Sequence, residues 1–342
     1  MGSTGWLAAF GGRPEAERMR RSPQFAAGKF RNSLPTRKLA EGKFWEMMRH
    51  QLTGGEERVP KRPIAVVRHG AADYATAPAG LRATWIGHAS VLLEIDGRRV
   101  LTDPIWSERC SPSTLLGPKR FHPAPVALAD LPPIDAVVIS HDHYDHLDMA
   151  TVKALKSAHF AVPLGVGAHL ARWGIAADHI SELDWGESAQ VNGLTLTATP
   201  ARHYSGRNPL HGDETLWASW VIQGPEHRAF FTGDTGYFDG FKKIGAQHGP
   251  FDLALIKVGA CDPTWQEIHM CPEEAVQAGQ DLGARLLLPV HWGTFNLAFH
   301  PWNEPAERAL AAAQKAGIAM ATPRPGEFVD AARPRPGEAW WR

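Results

Sequence analysis

The hexad His141-Asp142-His143-Tyr144-Asp145-His146 concentrates residues that bind or orient transition metals. The run before it, 134–140, is apolar and β-branched, which predicts a buried parallel-type strand. The run after it, 149–157, predicts the start of a helix. The hexad should therefore lie on a loop at the carboxyl end of a strand, where α/β sheets place their ligands. The alternative is a solvated polar turn that happens to contain three histidines.

Three later segments repeat this arrangement, with one potential ligand after each predicted strand. They are His203 after 194–200, Asp234 after 228–233 and His291 after 285–290. A lone histidine at a strand end is more often a capping or hydrogen-bonding residue than a ligand. Together with the hexad, however, the three residues predict a shared metal centre. Imidazole and carboxylate donors suit Zn²⁺, with Fe and Mn as alternatives.

In this order, the motifs resemble those of the metallo-β-lactamase superfamily. The resemblance implies an α/β fold, the four-layer αββα sandwich, and a site for two divalent metal ions. It assigns His141, His143 and His203 to one metal, Asp145, His146 and His291 to the other, and Asp234 as a bridge between both. At the position of Asp234, an aspartate rather than a cysteine is unlike the antibiotic-hydrolysing branch of the superfamily. It is similar to the phosphodiesterase, lactonase and nuclease branches.

A narrower resemblance covers roughly residues 29–330 and points to the N-acyl-phosphatidylethanolamine-hydrolysing phospholipase D family. The stretches that carry it include Trp85-Ile86-Gly87-His88-Ala89-Ser90, Gly117-Pro118-Lys119-Arg120-Phe121, Gly233-Asp234-Thr235-Gly236-Tyr237, Pro272-Glu273-Glu274-Ala275 and His291-Trp292-Gly293-Thr294-Phe295. The resemblance implies a phosphodiesterase that cleaves this lipid or a related phospholipid by attack of a metal-bridging hydroxide on phosphorus. The sequence departs from the vertebrate enzymes of this family at 257–262, so the resemblance does not identify the substrate. A lactonase or other ester hydrolase with the same metals is the alternative.

Three residues near these motifs are candidates for substrate chemistry. Asp145 combines a metal-binding oxygen with one that can accept a hydrogen bond from the nucleophile. His269 precedes the helix start expected at Pro272 and matches the family's histidine before Pro-Glu-Glu-Ala, so we expect it to meet the substrate phosphate. A hydrogen bond within the loop is the alternative. Tyr144 is predicted either to contact substrate or to pack, and His88 and Asp103 to support the ligands.

Length and composition predict one large domain at 71–330, flanked by an arm at 1–70 and a tail at 331–342. The 342 residues are 44% hydrophobic, which is enough for a substantial core. The net charge is zero, which argues against a nucleic-acid binder. We expect little regular structure after the strand predicted at 327–329.

The arm holds fourteen Lys and Arg against six Glu, a net charge of +8. A possible helix carries an apolar stripe made of Phe44, Trp45, Met47, Met48 and Leu52. Such a helix can lie in an anionic membrane interface, or its stripe can pack on the domain. A non-catalytic, membrane-associated metal-binding module is therefore the alternative from another functional class.

The remaining features concern location and assembly. Cys110, Cys261 and Cys271 form no Cys-x-x-Cys motif and cannot all pair, which favours a reducing compartment. The sequence has neither an apolar run long enough to span a membrane nor a secretory signal, which predicts a cytoplasmic protein with possible peripheral membrane contact. A homodimer is an open option.

Overall fold

The computed structural model describes residues 5–43, 45, 48–49, 55–208, 211–335 and 337–342. Two seven-stranded sheets stack face to face around a shared apolar core. Helices cover their outer faces, so the layers follow the order αββα. The predicted four-layer sandwich is confirmed.

The strands fill the two sheets largely in chain order. A small hairpin consists of β1 (Phe25–Ala26) and β2 (Lys29–Phe30). The first sheet contains β3 (Leu81–Gly87), β4 (Ser90–Ile95), β5 (Arg98–Thr102), β6 (Ala136–Val138), β7 (His159–Pro163) and β8 (Ile180–Leu183). The second contains β9 (Ser188–Val191), β10 (Leu194–Thr199), β11 (Ser219–Gln223), β12 (Arg228–Phe231), β13 (Leu253–Lys257), β14 (Leu286–Val290) and β15 (Ala319–Met320). The last strand, β16 (Phe328–Asp330), returns to the first sheet.

The strand order is β16-β3-β4-β5-β6-β7-β8 in the first sheet and β15-β14-β13-β12-β11-β10-β9 in the second. The run from β5 to β8 is parallel, as is the run from β12 to β15. Val138 pairs with Thr102, and Lys257 pairs with Val290, so neighbouring parallel strands end at the same level. The loops that follow them consequently meet at one edge of the sandwich.

The helices whose bounds lie within the described residues are short, apart from three that exceed two turns. In chain order they are α1 (Gly5–Ala8), α2 (Ala16–Met19), α3 (Met149–Ala154), α4 (Gly167–Arg172), α5 (Gly240–His248), α6 (Pro272–Asp281) and α7 (Glu304–Ala316). α3 begins at Met149, as predicted, because the Asp148 side chain accepts a hydrogen bond from the Ala150 N–H. Val152 and Leu170, on α3 and α4, pack with the outer face of the first sheet, and α6 packs against β13.

The N-terminal arm makes extensive contacts with the domain. Met19 and Phe30 are buried with Trp217, whose indole N–H donates to the Asn32 side chain. Of the predicted apolar stripe, Trp45 is 78% exposed and Met48 is 37% exposed. The other three stripe residues, Phe44, Met47 and Leu52, lie outside the described residues.

The C-terminal tail forms no helix or strand after Asp330 among its described residues, yet it is tightly packed. Trp341 is buried against Trp292, with ring centroids 5.2 Å apart, and its indole N–H donates to Glu307. Burying a side chain of this size contributes roughly 1.5–3 kcal/mol. The tail therefore adds to the core.

The cysteines require a correction to the sequence analysis. Cys261 and Cys271 form a disulfide, and Cys110 is a buried free thiol. A disulfide is at odds with the reducing compartment inferred from the spacing of the cysteines. Within the described ranges, no helix is both long and apolar enough to cross a bilayer.

Candidate metal centre

All seven predicted ligand residues converge at the edge where the parallel strands end. The hexad follows β6, His203 follows β10, Asp234 follows β12 and His291 follows β14. Their donor atoms fall into overlapping groups that could each hold a metal ion. The strand-end pattern read from the sequence thus corresponds to a real cluster of side chains.

One group consists of three histidines. Nε2 of His141 lies 2.8 Å from Nδ1 of His143, and Nε2 of His203 lies 3.4 Å from the same atom. Burial lowers the pKa of His203 to about 3, against the attraction of Asp234. A neutral imidazole is the form that binds a metal.

The second group is built around two carboxylates. Oδ2 of Asp145 lies 3.3 Å from Nε2 of His146 and 3.4 Å from Nε2 of His291. Oδ2 of Asp234 lies 3.4 Å from His146 Nε2 and 3.1 Å from His291 Nε2. It is also 3.9 Å from Nε2 of His203. Asp234 therefore touches both groups, as a bridging ligand would.

Several atoms of the cluster are buried without a hydrogen-bond partner, and this tests whether a metal fits. They are Nε2 of His146, both ring nitrogens of His291 and Oδ1 of Asp234. Buried polar atoms that lack a partner are costly and rare, so such a concentration indicates a missing ligand. Imidazole nitrogens and carboxylate oxygens are donors that Zn²⁺ and related metals accept. The residues fit a metal.

The Nδ1 atoms of two of these imidazoles, which point away from the centre, make hydrogen bonds with other parts of the protein. Nδ1 of His146 lies 2.6 Å from the Asp103 carboxylate, and Nδ1 of His203 lies 3.0 Å from the Ile268 carbonyl. Asp103 also accepts hydrogen bonds from the backbone N–H and hydroxyl of Ser140. These contacts orient both Nε2 atoms toward the centre. The supporting position expected for Asp103 agrees with this geometry.

Three residues beside the centre have a strained backbone. His88, Asp103 and His291 have φ angles of 53°, 33° and 65°, in the left-handed region that side chains rarely adopt. Gly233 has φ 54°, and a Cβ there would lie 2.4 Å from the Cβ of Ser140, so only glycine fits before Asp234.

Asp142 fixes the conformation of the hexad loop from behind. It accepts hydrogen bonds from the Gly206 N–H at 2.7 Å and the Thr215 hydroxyl at 3.0 Å, and it faces His169. Burial alone would raise the pKa of Asp142, but the contact with His169 holds it well below its usual range. Asp142 is therefore an anionic anchor directed away from the ligands.

Comparison with known proteins agrees with this geometry. The profile of the Beta-lactamase superfamily domain matches residues 98–292, which is more than half of the chain. A protein of Mycobacterium tuberculosis (strain ATCC 25618 / H37Rv), named only as uncharacterized, is 54% identical over 305 residues, covering 87% of this chain and 80% of its own length.

The chain belongs to the metallo-β-lactamase superfamily.

Two further comparisons give a relative that is similar in sequence and a solved structure that is similar in fold. The N-acyl-phosphatidylethanolamine-hydrolyzing phospholipase D 1 of Caenorhabditis elegans is 43% identical over 238 residues, covering 66% of this chain and 67% of its own length. The solved structure of Igni18, a metallo hydrolase from Ignicoccus hospitalis, aligns with a TM-score of 0.55 over 73% of this chain and 97% of its own, at 24% identity. The protein is a metal-dependent hydrolase of this superfamily, with a candidate His/Asp metal site.

His269 lies directly beside the ligands. Its Nδ1 is 3.7 Å from Oδ2 of Asp234, and this atom is buried without a hydrogen-bond partner. The helix α6 does begin at Pro272. The N–H of Cys271 donates to the Glu274 side chain, however, so this N–H is not available to a substrate phosphate beside His269.

Tyr144 is engaged within the fold. Its hydroxyl donates to the Arg207 carbonyl at 2.8 Å, and the Arg207 guanidinium carbon lies 4.1 Å from the centre of its ring. This geometry favours the packing alternative. A substrate contact by Tyr144 stays a prediction.

Two residues near the centre were assigned no role from the sequence, although one of them, Lys257, begins the segment 257–262 named there. Tyr204 lies with its ring centroid 4.5 Å from that of His143. Lys257 is fully buried at the end of β13, where its Nζ donates to the Met270 carbonyl. Tyr204 directly follows the predicted ligand His203, and this neighbourhood is a signal in the sequence. Lys257 gives no such signal, because a polar residue at the end of a strand is ordinary.

Proposed function

We propose that this protein is a dinuclear phosphodiesterase of phospholipase D type, acting on N-acyl phosphatidylethanolamine or a related phospholipid. The observation that carries the proposal is the seven-residue cluster, with its unpaired buried donors, in a chain 43% identical to a relative named for this reaction. Zn²⁺ is the proposed metal, with Fe and Mn as alternatives.

We assign His141, His143 and His203 to one metal position, Asp145, His146 and His291 to the other, and Asp234 to both. When bound, two such ions lower the pKa of a shared water and neutralise charge on phosphoryl oxygens. The alternative of a non-catalytic module fits less well, because structural zinc sites are typically closed and mononuclear.

Asp145 is the proposed catalytic carboxylate. Its Oδ2 faces His88 Nε2 at 2.9 Å and His291 Nε2 at 3.4 Å. Burial lowers the pKa of His88 to about 3, so its neutral ring can donate to Asp145 without sharing a positive charge. Held this way, Asp145 can accept a hydrogen bond from the attacking water and fix its direction toward phosphorus.

His269 is proposed to orient the phosphate of the substrate. Its side chain is 14% exposed, so it reaches the mouth of the site while its Nδ1 remains near Asp234. Burial lowers the pKa of His269 well below its usual range, which leaves a neutral ring that can donate one hydrogen bond to a phosphoryl oxygen. The leaving group would be the N-acyl ethanolamine, and the other product phosphatidic acid.

A substrate panel tests the proposal. Metal-loaded protein should release phosphatidic acid from N-acyl phosphatidylethanolamine and should hydrolyse simple phosphodiesters more slowly. Lactones and carboxylic esters should react least. Turnover of lactones alone would replace the proposal with the ester-hydrolase alternative, and no turnover of any substrate by protein with full metal content would favour the non-catalytic module.

A further inference from the structure

A hairpin beside the metal centre exposes two neighbouring leucines. It runs from Arg109 to Lys119, which form an isolated antiparallel bridge at its base. At its tip, Leu115 is 81% exposed and Leu116 is 73% exposed. Single exposed leucines are common on protein surfaces. Two adjacent leucines that are both mostly exposed indicate a surface that binds an apolar partner.

The tip is held in a fixed conformation. The Ser113 hydroxyl oxygen accepts hydrogen bonds from the N–H groups of both Leu115 and Leu116, each at 3.2 Å. At the base, the Cys110 N–H donates to the Pro118 carbonyl at 3.2 Å. The leucines are therefore presented by a closed turn, so inserting them elsewhere needs little further ordering.

An excess of positive charge lies beside the base of the hairpin. Lys119 is exposed on the hairpin, and Lys61 and Arg62 are exposed on the neighbouring segment, together with Val59, which is 51% exposed. With Arg109, four cationic side chains lie in this region against two carboxylates, Glu57 paired with Lys61 and Glu108 paired with Lys119. Exposed apolar side chains next to an excess of positive charge match an anionic lipid surface.

This surface also adjoins the opening of the metal centre. The Phe121 N–H, just beyond the hairpin, donates to the Thr294 carbonyl, three residues after His291. Asn296 lines both the cleft of Val59 and Lys119 and the pocket that contains His88 and His291. A lipid leaving a bilayer at the hairpin would thus have only a short distance to travel.

We propose that this docking surface, made of Val59, Lys61, Arg62, Leu115, Leu116 and Lys119, inserts its leucine tip into an anionic phospholipid bilayer. The role rests on the proposed function, because it explains how a bilayer lipid reaches the metals. A second copy of the chain fits less well as the occupant. A two-fold interface would face the same positive charges toward one another.

The test compares vesicle binding by metal-loaded full-length variants, using phosphatidylcholine vesicles with and without an anionic phospholipid. The double variant Leu115→Ser/Leu116→Ser should lose at least about tenfold in partition coefficient, equivalent to about 1.4 kcal/mol. A matched control, Leu7→Ser/Val67→Ser, removes two exposed aliphatic side chains at other places on the surface and should bind like wild type. The variant Lys61→Gln/Lys119→Gln should lose binding only to anionic vesicles, in a salt-dependent way.

The outcomes separate the docking surface from the proposed reaction. Hydrolysis of a soluble phosphodiester should stay at the wild-type rate in all three variants, which would show that the centre is intact. Unchanged vesicle binding by the leucine variant would overturn the proposal even if the enzyme cleaves lipids. A wild-type dimer that the leucine variant converts to a monomer, measured by light scattering, would assign the tip to a second copy instead. Vesicle binding that depends on the tip, without lipid hydrolysis, would uphold the surface and reject the proposed function.

Discussion

Two kinds of segment border the metal centre, and they are held in different ways. In the segments after β6, β12 and β14, the first ligand comes within three residues of the end of a buried strand, which fixes its position. The connection at 258–271, between β13 and α6, spans fourteen residues without a helix or strand. One disulfide and two hydrogen bonds hold this connection instead. They are the Cys261–Cys271 disulfide, the hydrogen bond from Lys257 Nζ to the Met270 carbonyl and the hydrogen bond from the Trp265 indole N–H to the Ala260 carbonyl.

This difference separates the ligands, which lie next to strand ends, from a connection whose path is set by its own bonds. Ligand positions depend on strand ends, which the sandwich fixes, whereas the connection depends on side chains particular to this sequence. The connection nevertheless supplies Ile268, whose carbonyl faces His203, and His269 itself. We therefore expect substitutions of the ligands to abolish hydrolysis, and substitutions in the connection to change its rate by a smaller factor.

The largest expected effect is that of Asp145→Asn. The amide keeps the size of the side chain but loses its charge, so we expect hydrolysis to fall by about 10²–10⁴-fold. Steady-state kinetics on a soluble phosphodiester measures this. Asp252→Asn, which alters a carboxylate bonded to Arg228 and Arg285 at the opposite end of the strands, is the control and should keep wild-type activity. An active Asp145→Asn enzyme would remove Asp145 from the catalytic assignment.

The next effect in size is that of Asp103→Asn. This residue supports His146 without facing the centre, and losing such a supporting carboxylate typically lowers metal affinity by about 10–100-fold. Competition with a chelator of known affinity measures the change. Unaltered affinity would mean that the hexad loop holds His146 without help from Asp103.

A smaller effect is expected from His269→Ala, in the connection. Removing one hydrogen bond to a charged phosphate, worth about 1.5–3 kcal/mol, should lower kcat/KM by about 10–100-fold while metal content stays unchanged. His269→Gln should restore part of the loss, because its amide can still donate. A fall in metal content would instead make His269 a ligand, as its position 3.7 Å from Asp234 allows.

The smallest effect on activity is expected from Lys257→Met, which should change how stability depends on pH. Burial lowers the pKa of Lys257 to about 7, against the attraction of Asp234. Between pH 7 and the ordinary lysine range, the unfolded chain binds this proton and the folded chain does not, so wild-type stability rises with pH by up to about 1.4 kcal/mol per unit.

Lys257→Met should lack that rise and should be the more stable protein at pH 7 and below. Denaturant unfolding of both proteins across this pH range isolates the contribution of Lys257. The exposed-lysine variant Lys242→Met should track wild type. Parallel curves for wild type and Lys257→Met would mean that Lys257 keeps its ordinary pKa.

The sequence allowed prediction of the parts of the site that follow a periodic pattern. The strands before His203, Asp234 and His291 alternate or run apolar, and each ends within two residues of its predicted end. The long connection offers no such period, so its path could not be predicted. The pairing of Cys261 with Cys271 depends on that path, and so does the burial of Lys257. The buried Trp341 in the tail was missed because a stretch rich in Pro and Gly predicts no regular structure, although it can still pack.

The most direct measurement is the number of metal ions bound per chain, by elemental analysis, in wild type, His143→Ala and Asp234→Ala. Wild type should bind two ions, His143→Ala should lose mainly one, and Asp234→Ala should weaken both because its carboxylate touches both groups. His159→Ala, which removes a histidine bonded to Ser181 on the first sheet, should keep two. Two ions fully retained in both ligand variants, with hydrolysis intact, would contradict the assignment of this cluster as a dinuclear centre.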